Sequence, residues 1–215
     1  MKKLILFLFI CPLFINGQET VNKNSIKSQE AVYTDSTTVG RFKIRFTNQF
    51  DDNAKLKVKK GLYWLDSIVG TDHFRDKVEK LKYKNTKIKN KVNLKCVAEK
   101  RTNKRYSSED IYDLLINGDD GLGQPNDKII DLYLDLDPDL SGNVLGSTSC
   151  GRIKSGKLYF SKNSAEVYAA HLIHEYMHVL GFNHFLNNPF LRSLFFKKND
   201  PAYQIGKFVK SLVPE

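Results

Sequence analysis

The sequence predicts an α+β fold, and three patterns carry that prediction. Phe42, Ile44 and Phe46 alternate with Lys43, Arg45 and Thr47, which is the period of a half-buried strand. Val58, Leu62, Leu65 and Val69 recur at steps of four, three and four within residues 53–69, which is the stripe of an amphipathic helix, and Gly70 can close it. From Ala165 to Leu180 the chain is apolar on nearly every face, the mark of a helix buried all round. At 215 residues and 41% hydrophobic residues, with 14 Phe and 10 Tyr, the chain suits one domain with a sizeable core.

That domain is expected over residues 41–215. Residues 1–17 stand apart from it: a basic start at Lys2 and Lys3, an apolar run from Leu4 to Ile15, and a small residue, Gly17, before Gln18. Together they read as a secretory signal peptide, so the product is expected to be secreted or periplasmic. The run falls short of the roughly 20 apolar residues a membrane-spanning helix needs, and no membrane span is expected. Losing Lys2 and Lys3 takes the formal charge from +10 to +8, still basic. Cys96 and Cys150 are the cysteines left in the mature chain, either as a disulfide or as two buried thiols; the sequence leaves both readings open. Residues 18–40 are rich in Ser, Thr, Asn, Gln and Lys and show no sustained period, so they read as a flexible N-terminal segment or short propeptide.

Further along, Phe74, Val78 and Leu81 keep helical spacing. Ile88, Val92, Leu94 and Cys96 then share one strand face while Lys87, Lys89, Lys91 and Lys95 share the other. Residues 77–105 hold twelve Lys or Arg against Glu79 and Glu99. Lysines on an open strand face guard it against pairing with another chain, and no aromatic platform interleaves them, so no nucleic-acid partner is expected. Ser107 starts a helix with Asp110 at its third position and Gly118 beyond its end. Ile129 to Leu136 reads as a central strand, with shorter strands around Val144-Leu145-Gly146 and over Lys157–Ser161. Asp135, Asp137 and Asp139 bring calcium to mind. Leu140 stands where a calcium-binding EF-hand loop needs glycine, and Gly146 where it needs glutamate, so Ca2+ is only a minor alternative. Asn163 followed by Glu166 is a helix-start signature for the buried helix.

The chemistry is concentrated at residues 174–184, His-Glu-Tyr-Met-His-Val-Leu-Gly-Phe-Asn-His. In a helix, His174 and His178 project from one face about a turn apart and can reach one metal ion. Gly181 can end the helix in a left-handed conformation, and the returning chain can then bring His184 to the same ion. Three protein ligands and an open position make a catalytic zinc site, whereas a structural site is closed by four. Five fixed positions match by chance on the order of once in ten million starts, so the pattern is specific. His171, one turn before His174, either supports the site or faces solvent; both readings stay open.

This stretch, HExxHxxGxxH, resembles the metzincin zinc metallopeptidases, and a broader likeness from about Phe74 onward is similar to small secreted bacterial members. The resemblance implies a zincin-like catalytic domain: a twisted mixed sheet with a backing helix and an active-site helix, a cleft, and a small C-terminal subdomain. It implies one catalytic Zn2+ on His174, His178 and His184, and Glu175 as the general base that takes a proton from a zinc-bound water as it attacks a peptide carbonyl. The Lys157–Ser161 strand would offer an edge for an extended peptide substrate. One departure stands out. The group carries a methionine turn beneath the metal, but Met1 and Met177 are the methionines here and both precede His184. Pro201-Ala202-Tyr203 is the candidate for that place, with Tyr203 a candidate hydrogen-bond donor to the developing oxyanion. The expected function is a secreted, monomeric, zinc-dependent endopeptidase. The alternative is a catalytically silent zinc-binding or adhesion protein on the same scaffold.

Overall fold

The computed structural model describes residues 33–83, 86, 105–122, 124, 126–140, 145–149, 151–184 and 200–214. All belong to the second of the two units into which the chain divides, Met1–Glu30 and Ala31–Glu215. The signal-peptide reading, the lysine-faced strand, Cys96 and Cys150 therefore lie outside the described residues, as does most of the basic region.

In chain order the elements are β1 (Tyr33–Val39), β2 (Phe42–Thr47), α1 (Asp52–Val69), α2 (Asp72–Lys80), α3 (Ser108–Ile116), β3 (Ile130–Asp137), β4 (Gly146–Ser149), β5 (Arg152–Gly156), α4 (Lys157–Lys162), α5 (Ala165–Val179) and α6 (Pro201–Lys210). The strands form one mixed sheet in the order β1-β2-β3-β5-β4. Its three central strands run parallel, while β1 and β4 run antiparallel to their neighbours at the two ends.

Two-residue alternation sorts the sheet's faces. Phe42, Ile44 and Phe46 of β2 and Ile130, Leu132 and Leu134 of β3 are buried to 1% exposure or less, and α1 and α5 join them in the core. Each such side chain contributes roughly 1.5–3 kcal/mol on burial. The opposite parity carries Arg45 over the ring of Tyr133 and Arg152 over that of Tyr33, an amphipathic face rather than a second core. Helix starts follow their caps: Asp51, Thr71 and Ser107 each accept a backbone N–H of the first turn, and Ser107 with Asp110 closes a capping box.

Four expectations change. Tyr33–Val39, within the segment read as flexible, is a strand. Its polar sequence shows no alternation because only Val39 is fully buried, so pairing with β2 rather than burial holds it. Lys157–Ser161 is helical, not a strand. A five-residue run with Leu158 and Phe160 apolar cannot separate the two periods, and Phe160 packs edge-on against Phe50 and Tyr168 from a helical turn. The strand lies just before it, as β5, with Ile153 and Ser155 buried. The strand expected around residues 144–146 is β4, which starts at Gly146 and runs on to Ser149. Finally, α5 is capped by Ser164 rather than Asn163, whose side-chain amide instead donates to the Tyr159 carbonyl at the end of α4.

Candidate metal centre

Helix α5 is fixed in rotation before it carries any chemistry. Ser164 caps it through Val167 N–H at 3.2 Å. Tyr168 donates to Ser155 Oγ of β5 at 3.0 Å, and Tyr176 donates to the buried Asp120 at 3.0 Å, which also accepts Asp131 N–H of β3. With those tyrosines pinned, His171, His174, Glu175 and His178 lie on the remaining side, spaced by three, four and seven residues from His171.

The helix ends in a Schellman turn. Gly181 N–H donates to the His178 carbonyl and Phe182 N–H to the Met177 carbonyl, both at 3.0 Å, with Gly181 at φ +100°, a conformation that favours glycine. The turn puts the Phe182 carbonyl against His178 Nδ1 at 2.5 Å and brings His184 back to the helix. His174, His178 and His184 thus come together, with donor atoms all within 4.8 Å of one another. This is the one such group among the described residues.

Each imidazole is also held from behind. His174 Nδ1 meets the Ala202 carbonyl at 2.9 Å, and His184 Nδ1 meets Asp200 Oδ2 at 3.1 Å. A carbonyl or carboxylate accepts, so all three Nδ1 atoms carry the proton and all three Nε2 atoms present lone pairs. His178 Nε2 and His184 Nε2 then lie 3.2 Å apart, and with both rings neutral their lone pairs oppose each other. A bound metal ion, or a proton shared between them, resolves that opposition. The donor set, three neutral imidazole nitrogens, is one that zinc accepts, though imidazole also suits other transition ions.

The floor beneath the ligands comes from α6. Pro201, Ala202 and Tyr203 form its first turn, capped by Asp200 Oδ1 accepting Tyr203 N–H at 2.9 Å. Tyr203 stacks on His184 with centroids 4.3 Å apart and lies 5.0 Å from His174. The segment expected to stand in for a methionine turn therefore lies against two ligand rings. Closeness is enforced at Gly206, where a Cβ would sit 2.8 Å from that of His174. Met177 is wholly buried in the core.

Glu175 is 5% exposed, and its Oε2 accepts a hydrogen bond from Thr148 Oγ1 of β4 at 2.9 Å. Burial pushes its carboxyl up to about 7, with the Thr148 bond opposing the rise. Burial likewise holds His174 down to about 3, helped by the neighbouring imidazoles, and His171 down to about 4. His171 does not face solvent. It packs edge-on against the ring of Tyr159, its Nδ1 lies 3.9 Å from Glu175 Oε1, and its buried Nε2 has no hydrogen-bond partner among the described residues.

Two supporting residues escaped the sequence reading. Asp200 was legible as a helix cap, since an Asp before Pro at the first helical position is a start signal, but nothing in that signal says its second oxygen reaches His184. Thr148 carries no sequence mark at all. The three acids considered for calcium do not converge: Asp135 accepts from Thr47 Oγ1, while Asp137 accepts Asp139 N–H and pairs with Lys154. Comparison with known protein families, curated proteins and solved structures finds no match to the chain. The site's own geometry is therefore what carries the functional reading.

Asp200→Asn should weaken zinc binding by about 10–100-fold, because an amide no longer anchors the His184 ring as a carboxylate does. Competition with a chromophoric chelator measures this, and unchanged affinity would remove Asp200 from the site. A second expectation concerns acid. In metal-free protein, His171 and His174 hold protons more weakly folded than unfolded, where both titrate near 6.5, so stability should fall as pH drops below about 6.5. Glu175, raised from 4.5 to about 7, acts in the opposite sense between those values, so the fall is steepest just below pH 4.5 and eases once His171 titrates at about 4. Thermal melts at fixed ionic strength should show this fall, and a smaller one in His171→Leu; identical pH profiles would contradict it.

Proposed function

We propose that the protein is a secreted zinc-dependent endopeptidase with a metzincin-like catalytic domain. One observation carries the reading: three imidazoles, each fixed by its own Nδ1 acceptor, come together as a metal-binding group on the helix that also buries Glu175. The mixed sheet with helices packed on it is compatible with a zincin-like fold.

Zinc held by His174, His178 and His184 would supply polarisation of a scissile carbonyl and a lowered pKa for water at the open position. The chain's own groups supply the rest. Phe182, Ala202 and Asp200 keep the imidazoles in one tautomer and orientation. Glu175 accepts the proton of the attacking water and passes it to the leaving amine, a task suited to a carboxylate held in place by Thr148. Tyr203, stacked on His184, braces the ligand rings.

The substrate edge is β4, not residues 157–161. It ends the sheet, no strand pairs with its outer side among the described residues, and its alternation turns Gly146 and Thr148 inward and Ser147 and Ser149 outward. An extended peptide can add to that edge, with main-chain hydrogen bonds supplying affinity. A silent zinc-binding scaffold has no use for a buried carboxylate at the position between its ligands in the chain, where desolvation is costly.

Glu175→Gln should keep one zinc per chain and lose hydrolysis of denatured casein by at least roughly 10²–10⁴-fold. Metal analysis and a casein assay with and without chelator decide it. Wild-type activity in the variant would sink the assignment of the base, and zinc-loaded wild type without turnover would favour the silent scaffold.

A further inference from the structure

We infer that Thr148 is a positioning residue for Glu175, so that the strand proposed to receive the substrate also sets the orientation of the base. The inference rests on the peptidase reading for its meaning in turnover, but its geometry stands apart from it.

Glu175 springs from α5, yet its carboxylate is held from the sheet. Thr148 Oγ1 lies 2.9 Å from Oε2 and 3.3 Å from the Glu175 backbone carbonyl, so one hydroxyl bridges the side chain and main chain of the same residue. The other carboxylate oxygen meets the same strand two residues earlier. A Cβ on Gly146 would stand 2.9 Å from Oε1 and 2.6 Å from Cε1 and Nε2 of His171, so only a residue without a side chain lets β4 lie this close. Gly146 and Thr148 share the inward face of β4, and His171 closes the far side at 3.9 Å from Oε1. The carboxylate is thus confined between one strand and one imidazole.

Confinement matters because a buried carboxylate at the end of three rotatable bonds has several places to go. A base displaced by about 1 Å can cost on the order of a hundredfold in rate. A hydroxyl donor on Oε2, with Gly146 and His171 close to Oε1, leaves the carboxylate few such places. Because β4 is also the sheet edge, the strand that would pair with a peptide is the one that holds Glu175, through Thr148 and the close approach of Gly146.

Thr148→Val keeps the shape and removes the donor, whereas Thr148→Ser keeps the donor. We expect Thr148→Val to lower kcat about ten- to hundredfold with KM and zinc content unchanged, and Thr148→Ser to recover most of that loss. Crystal structures of both should show the Glu175 carboxylate displaced in Thr148→Val and in place in Thr148→Ser. Should Thr148→Val fail to fold, Thr148→Ala makes the same comparison without the buried methyl. Wild-type kcat with an undisplaced carboxylate in Thr148→Val overturns the inference, as do equal losses in both variants, which would indicate packing alone. If the wild type hydrolyses no peptide, the peptidase reading fails, and carboxylate placement in the two crystal structures still decides whether Thr148 holds Glu175.

Discussion

The site depends on where three protons sit. An imidazole offers a metal one lone pair only if its other nitrogen keeps the hydrogen, and here each Nδ1 hydrogen has an acceptor: the Phe182 carbonyl, the Ala202 carbonyl and the Asp200 carboxylate. The consequence is three Nε2 lone pairs aimed together, two of them 3.2 Å apart. Two such lone pairs repel unless a metal ion or a proton lies between them. The fold holds the arrangement because each acceptor is tied to an element with its own reasons to be there.

Those reasons can be traced outward. Phe182 is placed by the turn that ends α5, Ala202 and Asp200 by the capped start of α6, and α5 itself by tyrosines bonded to β5 and to Asp120. The two helices approach closely because Gly206 has no side chain to keep His174 away. The sheet's contribution is its last strand, which touches Glu175 directly. Helix, turn, C-terminal helix and sheet edge therefore each supply one constraint.

Much of this was legible in advance. The eleven-residue motif at 174–184 carries the ligands at helical spacing, and the glycine within it marks the turn that returns the third. The long helices and β2 and β3 could be read because their apolar stripes run long enough to fix a period. Short elements could not. Five residues at 157–161 fit a strand or a helix equally, and β1 has too little burial to leave a pattern. Contacts across the chain were also invisible: Thr148 meets Glu175 across 27 positions, and the burial of His171 follows from Gly146 and Tyr159 coming together around it. Such pairings are written in the packing rather than in local spacing.

If His174, His178 and His184 hold one zinc ion through Nε2, zinc-edge X-ray absorption on protein purified with the metal should show it. The expected result is about one zinc per chain, with a first shell of nitrogen and oxygen at about 2.0–2.1 Å showing the multiple scattering of imidazole, and loss of that signal in His178→Ala. A first shell containing sulfur at about 2.3 Å, or zinc content unchanged in His178→Ala, would contradict it.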